Sequence, residues 1–381
     1  MIRMLRIGCV LFTSTVVLFV LVNIAAALAY PYDERLVVSG HPVFDEANRA
    51  TYERIYQQPI GVAREIVGES WSERAWIFEP YVQFRERPRR SQFVNISTDG
   101  FRLNAPNARE MFDPATPAVF LLGGSTTFGY GVRDEDTIAA HLEALFRERQ
   151  PGRPVAVYNF GRGYYGSGQE FLLLKLLVQR RMVPAAAIFI DGVNEQLCPT
   201  YSANIAEAFR IIQNDPWAEV RAVARSLPIF RALRSPNRSA LVDNALYLDR
   251  SIAQPFAFEC SCQVNERCHD QLMGSYLLNK QLVRAMGEQY GFAAQFTLQP
   301  VGGYKNRFTT SPFGPMPDRT QLWKWFEEHT MNGEGDYSLA GVLEDLSGDA
   351  FVDNLHYTSA AHRAIATAIY PRVAAALDAG R

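Results

Sequence analysis

The residues of this chain best suited to chemistry are a serine, an aspartate and a histidine that lie far apart in sequence. Ser125 follows Ala118-Val119-Phe120-Leu121-Leu122-Gly123-Gly124, an apolar run of strand length that ends in two glycines. A buried parallel strand ends in this way. In open α/β sheets ligands collect beyond the carboxyl ends of the strands, so the Ser125 hydroxyl stands where it can reach a substrate. The same residues also suit an ordinary tight turn. Asp353 and His356 lie three apart, between Phe351 and Thr358. At that spacing the carboxylate can bond the imidazole and fix its tautomer, although a solvent-exposed loop pair would look the same. In chain order the three offer a nucleophile, an orienting carboxylate and a general base. The α/β-hydrolase elbow shares that order but needs G-x-S-x-G, and Thr127 occupies its second glycine position. That fold is disfavoured.

Two further strand ends carry chemical candidates. Gly161-Arg162-Gly163-Tyr164-Tyr165-Gly166 matches the dinucleotide pattern G-x-G-x-x-G after the apolar run Val155 to Phe160. Against a nicotinamide cofactor, Asp191 comes about 30 residues after the first glycine, where the pattern places an acid at about 20. The next run ends in Asp191-Gly192-Val193-Asn194-Glu195, where the Asn194 amide could meet a developing oxyanion or simply serve a turn.

The intervening segments must position these groups. Ile138, Leu142, Leu145 and Phe146 fall on one helical face, opened by Asp134, Glu135 and Asp136, with His141 beside the stripe as a solvated histidine. Ser167 and Glu170 have capping-box spacing before Phe171, Leu174 and Leu177. Ala187 to Ile190 and Ala293 to Leu298 read as strands, and Thr358 as the N-cap of a helix from Ser359 to Ala376 that Pro371 kinks. Strands alternating with helices at this spacing predict a parallel sheet between two helical layers.

The chain has 381 residues, 48% hydrophobic and 20% charged, an ordinary globular composition. A net charge of -2 with no basic stripe argues against a nucleic-acid partner. Near the N-terminus, Arg3 and Arg6 precede an uncharged run from Ile7 to Ala29. Those 23 residues span roughly 34 Å as a helix, enough to cross a hydrocarbon core. The preceding arginines orient the rest of the chain outside the cytoplasm. Ala27-Leu28-Ala29 also resembles a signal-peptidase site, so anchor and cleaved leader both remain open. In an exported domain Cys198, Cys260, Cys262 and Cys268 read as two disulfides in any of three connectivities. Zinc held by Cys260, Cys262, Cys268 and His269 is the rival, without the usual paired C-x-x-C knuckles.

Residues 1–29 therefore read as an anchor or signal segment, and 30–116 as an irregular extracytoplasmic extension with a turn at Asp99-Gly100. Arg102 in that extension could meet an acidic substrate or serve structure. Residues 117–381 read as the α/β domain, interrupted by an insertion at about 199–270. A second irregular excursion, Tyr304 to Asp349, carries Trp323, Trp325 and Phe326. The helical spacing of Trp323, Phe326 and Thr330 suggests partial burial.

Four short blocks in order resemble the SGNH hydrolases, also called GDSL-like esterases. They are Gly123-Gly124-Ser125-Thr126, Asn159-Phe160-Gly161, Gly192-Val193-Asn194-Glu195 and Asp353-x-x-His356. The resemblance covers roughly 117–199 and 291–376. Gly124 stands where the family usually has aspartate, as does Glu195. The resemblance implies a flavodoxin-like α/β/α sandwich and a serine esterase without cofactor or metal. In it Ser125 attacks an ester carbonyl, His356 takes the proton and Asp353 orients the imidazole. The backbone N–H groups of Ser125 and Gly161 and the side chain of Asn194 would hold the oxyanion. His362 competes for the base but falls inside the last predicted helix. The implied substrate is an acyl ester, and location makes an acetylated polysaccharide the leading candidate. Acyl transfer to a glycan, a non-catalytic carbohydrate-binding module and an NAD-dependent enzyme are the alternatives. Oligomeric state is not legible.

Overall fold

The computed structural model describes residues 2–29, 49–72, 76–196, 266–312 and 314–379. They fall into two compact units. One comprises residues 1–37 and 198–260, of which the helix α1 (Ile2–Ala29) is described. The other, residues 38–197 with 261–381, holds the remaining elements. The expected insertion, and the disulfide and zinc alternatives at Cys198, Cys260, Cys262, Cys268 and His269, lie outside the described residues or side chains.

Within α1, Arg6–Ala26 has a mean hydropathy of 2.4 and is long and apolar enough to cross a membrane. Two of its polar side chains bond their own helix: Thr15 Oγ1 donates to Leu11 O and Asn23 Nδ2 to Phe19 O, each at 2.9 Å. Polar side chains satisfied in this way suit an apolar surrounding.

The second unit is built on five parallel strands: β3 (Ala118–Gly123), β4 (Ala156–Asn159), β5 (Ala186–Asp191), β6 (Ala293–Leu298) and β9 (Asp336–Ser338). Their spatial order is β4-β3-β5-β6-β9, all pairs parallel. This is the flavodoxin-like order, and the direction of winding reverses between β3 and β5. Every residue of β3 and β5 is buried, because helices cover both faces. Side chains alternate across a strand. Val119, Leu121, Ile188 and Ile190 accordingly pack with α5 (Ile138–Arg149) and α9 (Ser359–Ala379). On the opposite face lie Phe189 and Phe296, stacked 4.8 Å apart, and the helices α6 (Ser167–Gln179) and α7 (Glu266–Tyr290). The fold is a three-layer α/β/α sandwich with a parallel central sheet.

Three local expectations need correction. Ser167 is the first residue of α6 and Gly166 its N-cap, so no Ser167–Glu170 capping box forms. The Ser167 N–H instead donates to Glu195 Oε1 at 2.7 Å. The excursion from Tyr304 to Asp349 is not irregular throughout. It supplies a short antiparallel pair, β7 (Thr310–Ser311) and β8 (Gly314–Pro315), and the helix α8 (Thr320–Thr330). It also supplies β9, too short at three residues to leave a periodic pattern. Trp323, Phe326 and Thr330 are fully buried, and Trp323 Nε1 donates to Gln299 O at 2.9 Å.

The extension is also more ordered than its pattern suggests. It forms α2 (Arg49–Tyr56), α3 (Ile60–Val67), a π-helical turn (Gly68–Ser72), and an antiparallel pair β1 (Trp76–Glu79) and β2 (Gln83–Glu86). The Asp99-Gly100 turn forms, with Ile96 and Arg102 bridged across it and Gly100 at φ +89°. Arg102 also bridges Asn159 of β4, which joins the extension to the edge of the sheet.

Candidate active site

β3 ends at Gly123, and Ser125 opens a single helical turn, α4 (Ser125–Phe128). The two glycines before it are dictated by space. At Gly123, with φ +152°, a Cβ would lie 2.1 Å from Thr127 Oγ1, and at Gly124 one would lie 2.2 Å from Asn194 Nδ2. A side chain at position 124 would therefore press on the Asn194 amide. As the first helical residue, Ser125 has a backbone N–H without an intrahelical acceptor.

The loop before α9 is a tight reversal: Val352 N donates to His356 O at 2.8 Å, and Phe351 bridges Tyr357. Within it Asp353 Oδ1 accepts the N–H groups of Leu355 and His356 at 2.7 and 2.6 Å. Its other oxygen lies 2.7 Å from His356 Nδ1. With one carboxylate oxygen fixed by the backbone, the imidazole meets the other. The far side of the ring, Nε2, lies 2.9 Å from Ser125 Oγ, across 231 residues of chain. Asp353 is 5% exposed and the His356 side chain 12%.

Beyond β4, Gly161 crosses the turn that follows Ser125. A Cβ there would lie 2.3 Å from Phe128 N and 2.7 Å from Thr127 C, so only glycine allows the approach. The Gly161 N–H is engaged by Asn159 Oδ1 at 3.1 Å. After β5, Asn194 Nδ2 donates to Tyr165 O at 2.6 Å, which leaves its second amide hydrogen. Ser125, His356 and Asp353 thus form one hydrogen-bonded line, with Asn194 beside Gly124 and Gly161 against the turn after Ser125. His362 is elsewhere: it is fully buried in α9, packs edge-on to Tyr357 at 5.5 Å, and is held well below its ordinary pKa by burial. His141 is half-buried, with Nε2 3.4 Å from Ser359 Oγ.

The G-x-G-x-x-G loop is filled by protein. Gly163 faces the Tyr130 hydroxyl, 2.4 Å from where a Cβ would sit. Arg162 is buried and bonds Glu79 Oε2 at 2.6 Å and the Tyr165 hydroxyl at 2.9 Å. A carboxylate, Glu195, occupies the start of α6, where the dinucleotide reading would place a pyrophosphate. Burial alone would raise the Glu79 carboxyl, but Arg162, Arg85 and Arg180 together hold it below its ordinary range.

Beneath Asn194, one oxygen each of Glu170, Asp191 and Glu195 lies within 4.8 Å of the others, and among the described residues this is the group that could hold a cation. Burial raises Glu170 strongly, Asp191 to about 6 and Glu195 to about 8. After burial, the neighbouring Asp191 and Glu195 carboxylates push Glu170 further upward. Tyr276 donates its hydroxyl to Asp191 at 3.0 Å.

Sequence reading missed what the extension contributes. Arg102, fully buried, pairs with Asp134 at 2.9 Å and donates to the carbonyls of Phe128, Gly129 and Val132. It therefore grips the turn after Ser125 and meets no substrate. Trp71 and Tyr130 pack against the His356 ring at centroid distances of 5.5 and 5.7 Å. The placement of Arg102 between two apolar residues, Phe101 and Leu103, hinted that it is structural; no local pattern marks Trp71.

No protein-family model matches this chain. No curated protein matches it either. Among solved structures it is similar to a protein from Desulfitobacterium hafniense DCB-2 described as lipolytic and of the G-D-S-L family. Identity is 11%, over 68% of this chain and 99% of that one, with a TM-score of 0.36. It is also similar to the psychrotrophic esterase EstA from a Pseudoalteromonas species, at 13% identity, 68% and 98% coverage and a TM-score of 0.35. An acetyl xylan esterase, AlAXEase, matches at 11%, 67% and 99%, with a TM-score of 0.33. Likenesses this distant assign no activity, so the geometry of the residues has to.

Proposed function

We propose that this chain is a serine esterase of the SGNH type, held at a membrane by α1 with its catalytic unit outside the cytoplasm. The observation that carries the reading is the line Ser125 Oγ, His356 Nε2, His356 Nδ1, Asp353 Oδ2, with contacts of 2.9 and 2.7 Å, at the carboxyl end of a parallel sheet. Residues 1–29 form the anchor, 30–116 the extension, and 117–381 the catalytic domain with its insertion at about 199–270.

Ser125 Oγ attacks the ester carbonyl while His356 Nε2 takes its proton, and Asp353 stabilises the imidazolium that forms. The carbonyl oxygen, now negative, is met by the Ser125 N–H, the second hydrogen of the Asn194 amide, and the Gly161 N–H shared with Asn159. His356 then returns its proton to the departing alkoxide oxygen. Water, deprotonated by the same imidazole, attacks the acyl-serine; the bond from the acyl carbon to Ser125 Oγ breaks, the imidazolium returns its proton to Oγ, and the acid leaves. The substrate is an acyl ester, with an acetylated polysaccharide as first candidate because of the location.

The test uses the full chain in detergent, comparing wild type, Ser125→Ala and His356→Ala on p-nitrophenyl acetate and a serine-reactive fluorophosphonate. Label on Ser125 in the wild type, with turnover lost in both variants, supports the proposal. Equal turnover in all three would end it.

A further inference from the structure

We propose that Trp71 of the N-terminal extension, together with Tyr130, is a positioning residue that holds the His356 imidazole toward Ser125. The inference rests on the esterase reading above and adds to it that the extension is a working part of the site.

The observations begin with packing. Trp71 is 7% exposed and meets the imidazole edge to face, at 5.5 Å and 79°. Tyr130 meets the same ring at 5.7 Å and 38°, and Trp71 meets Tyr130 at 5.8 Å and 63°. The imidazole is therefore confined by two large rings that also brace each other. Both rings are themselves fixed. Gly131, at φ +87°, has no side chain because a Cβ would lie 2.6 Å from Trp71 Cη2 and 2.7 Å from Val352 Cγ2. The Tyr130 hydroxyl donates to Glu86 Oε1 at 2.5 Å, and Trp76 Nε1 donates to the same oxygen at 3.0 Å. Glu86 and Trp76 belong to the β1–β2 pair of the extension, and Glu86 is 5% exposed.

One apolar cluster joins these parts. It contains Ile66, Val67 and Trp71 of the extension, Phe128 and Tyr130 after the nucleophile, and Val352 at the foot of the histidine loop. The extension thus touches both loops whose meeting makes the 2.9 Å Ser125–His356 contact. Those loops come from opposite ends of the sandwich sequence. Among the described residues of the imidazole loop, Asp353 alone holds the ring, at Nδ1. Ser125 Oγ meets the other nitrogen, and Trp71 and Tyr130 bound the ring where neither hydrogen bond reaches, which keeps it in line with both. Misplacing a reacting group by about 1 Å costs on the order of 10²-fold in rate.

The test uses the full chain in detergent, with the rate of fluorophosphonate labelling at Ser125 and kcat and KM on p-nitrophenyl acetate. Trp71→Ala is expected to lower kcat and the labelling rate by about 10- to 100-fold while KM moves less than about threefold. Trp71→Phe restores a ring and is expected to recover most of the loss. Val67→Ala, a cavity in the same cluster, is expected to lower Tm while leaving kcat within about threefold. If Trp71→Ala does not fold, Trp71→Leu takes its place in the comparison. A folded variant without the ring that labels at the wild-type rate would overturn the inference, as would a loss of kcat in Val67→Ala equal to that in Trp71→Ala. A wild-type chain that takes no label sinks the esterase reading and this inference with it, whereas equal labelling of wild type and variant sinks the inference alone.

Discussion

On the imidazole flank of Ser125, Arg102 and Asp134 are both fully buried and lie 2.9 Å apart, with Asn95 also donating to the carboxylate from its backbone and its amide. On the asparagine flank, Glu170, Asp191 and Glu195 converge on one another. Lys280 lowers Asp191 from a distance while bonding Asp336 at 2.7 Å. The two flanks treat buried carboxyls differently: one is paired with an arginine, whereas on the other burial pushes three neighbouring carboxyls toward the protonated form. Glu195, the neighbour of Asn194 in sequence, ties that loop to pH.

The comparison can be broken most forcefully at Asp353. Asp353→Asn keeps the shape of the imidazole loop but spoils the tautomer, and kcat is expected to fall by about 10⁴-fold with Tm nearly unchanged. Arg102→Met comes next, since it strands the Asp134 carboxylate in the core. A loss of about 3 to 5 kcal/mol in urea unfolding at neutral pH is expected, and a loss under about 1 kcal/mol would show that the pair does not hold this flank. On the other flank, Asn194→Ala removes the side-chain donor proposed for the oxyanion and should cost about 10²- to 10³-fold in kcat with KM little changed. An unchanged kcat would assign Asn194 to its Tyr165 bond alone.

The smallest effect concerns pH. Glu195 is raised to about 8 and Asp191 to about 6, by burial first, so the folded chain keeps protons that the unfolded chain releases in the ordinary carboxylate range. The folded state then binds more protons, and stability falls as pH rises. The contribution is whole below about pH 4 and is lost as pH climbs through about 6 and then about 8, by up to about 1.4 kcal/mol per pH unit for each proton. Glu195→Gln is expected to flatten the upper part of that decline in Tm measured from pH 6 to 9. An unaltered slope would mean that the asparagine flank is not neutralised by protons.

The two flanks were unequally legible in sequence. Ser125, Gly161 and Asn194 each come after a strand whose apolar run is visible by itself, because parallel strands are buried on both faces. Thr358 accepts the Ala361 N–H at 3.4 Å at the start of α9, as its cap position implied. The capping box at Ser167 failed because Glu195, 28 residues on, supplied a better acceptor for the same N–H than Glu170, which is drawn into the buried cluster. The extension was illegible for a different reason. Its helices are two turns long, and its organising contacts run from Trp71 to His356 and from Arg102 to Asp134, over separations that no period encodes.

Sequence alone determined what short-range geometry controls: the strand runs, the glycines that bracket Ser125, and an aspartate three residues before a histidine, close enough to find it in any tight loop. Tertiary structure decided what depends on packing. It set Nε2 of that histidine against a hydroxyl 231 residues away, closed two aromatic rings over the imidazole, paired one buried carboxylate with an arginine and gathered three others into one cluster. Distant groups meet only when burial of the surfaces between them outweighs the entropy of closing the chain, and one sequence read locally contains no record of which surfaces those are.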